Sequence, residues 1–362
     1  MSSDGLKRRL TYLDWLRGAS VLVMIEAHTF DAWTMPGEKS RAAYGYLMVV
    51  GGMASPLFLF LAGTAAALAA SSHIARGLDP TEAARRVERR GLQILLLAFL
   101  FRLQSFVLGG FLHLDGLLKV DILNVMGPGV MAAGAFWRIP ASRRVRGLVL
   151  ALAVAGVVAA TPSLRQAGWV DALPAPVAAY LRPEPGSGAF TLLPWVAFVF
   201  AGAVLGIVLD AGRQLTPWRL HLALALAGVG LGAGGYWAAW QPPLFEGARF
   251  WTTSPAFFYL RMGLLVLSVA AGWAWYARPA RRRATSPVEA LGVGSLFVYW
   301  VHVELVYGWV GRPLRQQLTL EQAAVAWAGL TVLMYLLLMG WNRYRARRHS
   351  RLPSVKLIKS TV

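Results

Sequence analysis

Apolar residues in this chain fall in long runs separated by short polar, mostly basic stretches. A helix needs about 20 predominantly apolar residues to cross roughly 30 Å of hydrocarbon. Ten segments approach that length, at 12–34, 48–71, 91–112, 120–137, 146–161, 190–209, 218–240, 255–277, 288–310 and 321–341. The pattern predicts an all-α, polytopic membrane protein of about ten transmembrane helices. The fifth segment, around GLVLALAVAGVVAA, is the shortest. The fourth holds Gly127-Pro128-Gly129 and is predicted to kink or break. In the ninth, Gly292-Val293-Gly294-Ser295 reads as a small-residue patch for close helix packing. The first run carries Asp14, Arg17, Glu26 and His28, too long and too charged for a cleavable signal peptide. The stretch 162–189 contains five prolines and an interfacial segment at Ala172–Leu181. The expected organisation is one membrane domain over 1–342 and a basic cytoplasmic tail over 343–362.

Composition agrees with the pattern. Hydrophobic residues make up 57% of the 362 and charged residues 15%, with mean hydropathy +0.51. A soluble globular protein carries about 25% charged residues, so this chain cannot coat a water-soluble particle but has ample surface for lipid. The net charge of +19 does not indicate nucleic acid, because Lys and Arg cluster between apolar runs. Alternate loops carry 25 and 8 of them, a split that predicts both termini in the cytoplasm. There is no cysteine, which removes thiolate nucleophiles and cysteine metal sites. No phosphate-binding loop, dinucleotide fingerprint, HExxH or GxSxG is present. His113, Asp115 and Asp121 cluster at an outer loop without metal-ligand spacing, and no metal is expected.

Charges inside the spans narrow the field. Each costs roughly 2.5–3.5 kcal/mol on insertion scales near mid-bilayer, so each needs a reason. At about 1.5 Å per residue, Glu26, His28, Arg102, His302 and Glu304 share a central depth, while Asp31 and Arg261 lie nearer the outer face. A structural reading makes these an ion-pair network, Glu26 or Glu304 with Arg102 and Asp31 with Arg261. His28 and His302 at matched depth admit two roles, a helix–helix hydrogen bond or proton transfer. Arg17 precedes His28 by eleven positions, which places both on one helix face about 16 Å apart. A cation below a mid-membrane histidine suits an elongated anionic ligand entering from the cytosol; alternatively, Arg17 snorkels to lipid phosphates. A carboxylate that fixes the His28 tautomer would be Glu304 or Asp31, since Glu26 points about 200° away. Tyr12, Trp15, Trp33 and Trp309 read as interface anchors.

At this point the residues are similar to a known group. RLTYLDWLRGASVLVMIEAH resembles the opening helix of the transmembrane acyltransferase superfamily, with Asp-x-x-Arg-Gly and then a histidine about three turns on; Asp14, Arg17, Gly18, Met24 and His28 match. ASPLFLFLAGTAAAL at Ala54–Leu68 is similar to the family's second helix. VDILNVMG at Val120–Gly127 and FTLLPWVAFVFAGAVLG at Phe190–Gly206 resemble the heparan-α-glucosaminide N-acetyltransferase-like branch. FVYWVHVELV at Phe297–Val306 is similar to a late, histidine-bearing helix. The resemblance implies acyl transfer from cytosolic acyl-CoA, typically acetyl-CoA, to an extracytoplasmic sugar amine or hydroxyl. By carry-over, His28 is the catalytic histidine, Arg17 with Asp14 holds the donor, and Asn124 matches a polar position assigned to the acceptor. His302, Glu304 and Asp31 complete the expected catalytic set, and Glu26, Arg102 and Arg261 the structural ion pairs. The expected setting is a bacterial inner membrane, with acyl-CoA, a saccharide acceptor and lipid as partners and a homo-oligomer left open. No appended extracytoplasmic domain is expected.

The competing reading is a proton-coupled transporter that uses the same histidines and glutamates as a relay. Transporters built from repeats carry broken helices in both halves, whereas here only the fourth segment is visibly interrupted. A purely structural role would not require two histidines at one depth.

Overall fold

The computed structural model describes residues 10–108, 114–183, 190–278 and 286–351. Among them the chain forms thirteen α-helices and no strand, apart from a single bridge between Thr34 and Leu318. In order these are α1 Thr11–Trp33, α2 Ala42–Gly51, α3 Ala54–Ala75, α4 Pro80–Leu108, α5 Ile122–Ala135, α6 Arg143–Gln166 and α7 Ala175–Leu181. They continue as α8 Leu192–Ala211, α9 Pro217–Ala239, α10 Pro255–Ala277, α11 Pro287–Val293, α12 Ser295–Tyr307 and α13 Leu320–Arg351. Every predicted segment is occupied by helix, and α10 falls on its predicted bounds. The last helix continues to Arg351; the rest of the basic tail lies outside the described residues.

Among the described residues, eight helical stretches are long and apolar enough to cross a bilayer, α2 and α3 together counting as one stretch of 34 residues. α11 and α12 form a further candidate, bent by 89°. α1 is not among the eight because Asp14, Arg17, Glu26 and Asp31 interrupt its hydrophobicity. Its surroundings account for a charged helix here: α2, α3, α10, α11, α12 and α13 all pack on it and shield its polar groups from lipid. α6, α9 and α13 instead expose Leu148, Leu152, Leu226, Val229, Val332 and Leu336, a surface suited to acyl chains.

Two helix breaks differ from expectation. α5 runs without interruption through Pro128, although proline removes one backbone bond. Gly127 lies against Gly91 and Leu95 of α4, and Gly129 against Val196 and Val199 of α8, so packing on two sides holds the helix together. The real break is at Gly294, between α11 and α12, within a run whose hydropathy is continuous. The close-packing reading of the neighbouring glycine holds. A Cβ on Gly292 would lie 1.9 Å from the Asp14 carbonyl oxygen, and one on Gly18 would lie 1.7 Å from that of Val288. α11 therefore crosses α1 backbone to backbone, which turns α12 along the upper part of α1.

Loops assigned by charge to the same side meet. After α1, Met35 N–H donates to Leu318 O at 2.9 Å, and Gln166 Nε2 donates to Glu246 O at 2.8 Å. At the other end Arg138 pairs with Glu88, and Arg143 with Asp210 at 3.4 Å. Two expected interface anchors are instead internal. Trp33 is buried and donates to Val306 O at 3.1 Å, and Tyr12 is buried with its hydroxyl 3.3 Å from His221 Nε2. Both sit on the enclosed α1, where protein takes the place of the headgroup region. Trp309 is exposed as expected.

Candidate active site

α1 and α12 bring the two histidines together. His28 Nδ1 lies 2.9 Å from His302 Nε2. The ring planes differ by 9° and the centroids are 5.1 Å apart, which fits an in-plane hydrogen bond better than a face-to-face stack. His302 is fully buried, and its Nδ1 lies 2.7 Å from Val298 O, one turn earlier on α12. A carbonyl can only accept, so His302 Nδ1 carries the proton and its Nε2 presents a lone pair. His28 Nδ1 must then donate to that lone pair. The chain Val298 O, His302, His28 leaves the lone pair of His28 Nε2 without a hydrogen-bond partner among the described residues.

On the outer side Tyr307 meets the His28 ring edge-on, with centroids 5.4 Å apart. Its hydroxyl donates to Asp31 Oδ2 at 3.0 Å, and the Asp31 side chain is 56% exposed. Lys39 donates to the Asp31 carbonyl at 2.6 Å and lies 3.9 Å from its carboxylate. Asp31 thus neighbours His28 through Tyr307.

The other expected partnerships form differently. Arg102 pairs with Asp121 at 3.1 Å, not with Glu26 or Glu304, because α4 lies along α5 and directs this residue at the N-terminus of α5. Glu304 accepts from Ser105 Oγ at 2.8 Å, on the α4 side of α12, and forms no hydrogen bond to either histidine. Two residues along a helix correspond to about 200° of rotation, which turns Glu304 away from the His302 face. Both oxygens of buried Glu26 lack a hydrogen-bond partner among the described residues. Arg261 does not reach Asp31; its guanidinium lies 3.9 Å over the Phe257 ring. Asn124 completes a capping box with Asp121 at the start of α5, and its amide donates to Tyr180 of α7 at 3.2 Å. Tyr180 lies outside the spans, and burial raises its pKa. His113 lies outside the described residues. Among the described residues no group of three His, Asp or Glu is placed to hold a metal ion.

On the inner side of the histidine pair a cavity of about 490 Å³ lies between α1, α3, α4, α5 and α12. Ligand pockets usually span about 300–1,000 Å³. Arg17, His73, Arg86 and Arg90 supply its basic lining. Arg17 Nη1 lies 3.2 Å from Asp14 Oδ1, so Asp14 orients it. Along α1 and α12 the lining reaches Met24 and Tyr299, one turn short of His28 and His302. Sequence reasoning counted Arg86 and Arg90 only as loop charges and passed over His73 and Tyr299. One signal was available: Arg86 and Arg90 are four apart and share a helix face.

The geometry therefore joins a basic cavity, a histidine pair of which His302 is fully buried and His28 half-buried, and beyond it the exposed Asp31 carboxylate with Lys39 and Arg315 nearby. Residues 9–233 match the family model described as heparan-alpha-glucosaminide N-acetyltransferase, catalytic. That stretch carries Arg17 and His28 and the cavity residues contributed by α1, α3, α4 and α5, whereas Tyr299 and His302 lie beyond it. No curated protein matches the chain at a significant level. With well over half its length covered by the family model, this integral membrane protein belongs to the heparan-α-glucosaminide N-acetyltransferase catalytic family and is an acyltransferase.

Proposed function

We propose that the protein transfers an acetyl group from cytosolic acetyl-CoA to an amine or hydroxyl of an extracytoplasmic saccharide, in a bacterial cytoplasmic membrane. The observation that carries this reading is the hydrogen-bond chain that leaves a lone pair on His28 Nε2, between a basic cavity and the exposed Asp31 carboxylate. Arg17, Arg86, Arg90 and His73 hold the CoA phosphates, because fixed cations form strong charge-assisted hydrogen bonds to phosphate. The apolar wall, including Ala62, Ala66 and Ala69, leaves room for the pantetheine arm and directs the thioester toward Met24 and Tyr299. Asp31 orients the acceptor from outside. Asn124 acts at one remove by fixing Tyr180 and α7.

Attack then occurs directly in a ternary complex. The acceptor lone pair forms a bond to the thioester carbon, the carbonyl electrons move to oxygen, and the acceptor proton passes to His28 Nε2. Collapse re-forms the carbonyl and breaks the C–S bond, and His28 returns the proton to the departing thiolate. His302 keeps Nδ1 of His28 engaged and its ring fixed, so that Nε2 faces the reaction. This ordering needs no acetyl-histidine intermediate. Glu304 is tied to Ser105 and is given no proton-transfer role.

The test is reconstitution in proteoliposomes with radiolabelled acetyl-CoA on one side and glucosamine on the other. Acetylated sugar should form only with donor at the face bearing Arg17, Arg86 and Arg90. Product that requires donor at the Asp31 face would reverse the assignment. Protein that binds acetyl-CoA with no affinity and moves a solute with protons would favour transport instead.

A further inference from the structure

Tyr299 lies on α12 one turn before His302, with ring centroids 6.0 Å apart at 72°. Its other ring neighbour is Phe101 of α4, also at 6.0 Å. The residue is 9% exposed and lines the inner cavity. Its hydroxyl makes no hydrogen bond to any described residue. The hydroxyl is not among the fully enclosed unpartnered polar atoms, so it opens to the cavity and is available to a ligand there. The cavity wall beside it is lined by Met24, Ile122, Leu123 and Met126, and the Arg102–Asp121 pair lies close enough to act on the ring's hydroxyl electrostatically. Ser295, the nearest polar lining residue on the same helix, sits a turn lower at the Gly294 break. Among the described lining residues, Tyr299 is thus the hydrogen-bond donor closest to the histidine pair.

We infer that Tyr299 is a further catalytic residue, whose O–H donates to the thioester carbonyl oxygen and stabilises the oxyanion formed on attack. This inference rests on the acyl-CoA reading above. As the acceptor's lone pair bonds to the carbonyl carbon, the C=O electron pair moves onto oxygen and the Tyr299 hydrogen bond shortens. The pair then returns, the C–S bond breaks and the thiolate leaves with its electrons. Tyr299 keeps its proton throughout; the acceptor's proton travels by way of His28. A single preoriented donor suits this task, because it stabilises charge that exists only in the transition state.

Tyr299→Phe removes the hydroxyl and keeps the ring against Phe101 and His302. The expected result is a loss of kcat of about 10²–10³-fold, the scale of removing one oxyanion donor. Acetyl-CoA affinity and melting temperature should stay near those of the unaltered protein. S-ethyl-CoA, a thioether without the carbonyl oxygen, should bind both proteins equally. Turnover within about threefold of the unaltered enzyme would overturn the proposal. So would an S-ethyl-CoA affinity that falls as far as turnover does, since that marks a packing role. If the unaltered protein binds no acyl-CoA, the donor reading falls as well, an outcome distinct from normal transfer by Tyr299→Phe.

Discussion

The two mouths of the site differ in charge. The inner cavity gathers Arg17, His73, Arg86 and Arg90, and no carboxylate lines it among the described residues. The outer vestibule offers the exposed carboxylate of Asp31, held by Tyr307 with Lys39 alongside. On the proposed function, this difference would draw a polyanionic donor to one mouth and leave the other to a neutral or cationic acceptor. The lesson is that sidedness is built into the lining of one reaction path, so substitutions at the two mouths should separate donor effects from acceptor effects.

The largest departure from that separation is expected at the shared centre. His302→Ala removes the acceptor for His28 Nδ1 and frees the ring, and kcat should fall about 10–100-fold, the usual cost of losing an orienting partner. Donor and acceptor KM should both stay within a few-fold. A fall in acetyl-CoA affinity instead would mean that His302 shapes the cavity. At the inner mouth, Arg90→Ala should raise the KM for acetyl-CoA about 10–100-fold, since a charged hydrogen bond contributes roughly 1.5–3 kcal/mol. Initial-rate kinetics should leave the acceptor KM unmoved. At the outer mouth, Asp31→Asn should raise the acceptor KM about two- to fivefold and leave the donor KM alone, one charge at an exposed site being worth less. An equal rise in both constants would erase the distinction between the mouths.

The smallest effect concerns the turn Pro36–Ser40 after α1 rather than chemistry. Arg41 beside Glu38, together with the Leu320 N–H, holds the Glu38 carboxyl below the usual range. A depressed pKa gives a contribution that is present above the unfolded value and is lost as pH falls through the folded one. Protection of the Leu320 amide, taken against its intrinsic exchange rate at each pH, should therefore fall as the Glu38 carboxyl protonates in acid. Glu38→Gln should flatten that dependence.

Much of the architecture was legible because hydropathy reports lipid contact directly, as α10 shows. The break at Gly294 was hidden because Leu296, Phe297 and Val298 continue the apolar run, and only the crossing of α11 over Gly18 forces the turn. Matched depth put His28 and His302 at one level, since both count from helix ends, but only the crossing of α1 and α12 brings them into contact. Depth failed for Arg102, Asp31 and Arg261, whose partners depend on azimuth and on which helix lies alongside. Asp121 captured Arg102 because α4 and α5 pack together. Tyr299 and His73 had no signal, because a cavity belongs to several helices at once.

The central claim is that His28 Nε2 takes the acceptor's proton. The most direct measurement compares His28→Ala with the unaltered protein in single-turnover transfer, with acetyl-CoA affinity measured on the same samples. Loss of a general base should slow transfer by about 10²–10⁴-fold and leave donor affinity nearly intact, because the basic cavity ends a turn short of His28. Near-normal transfer by His28→Ala would contradict the account.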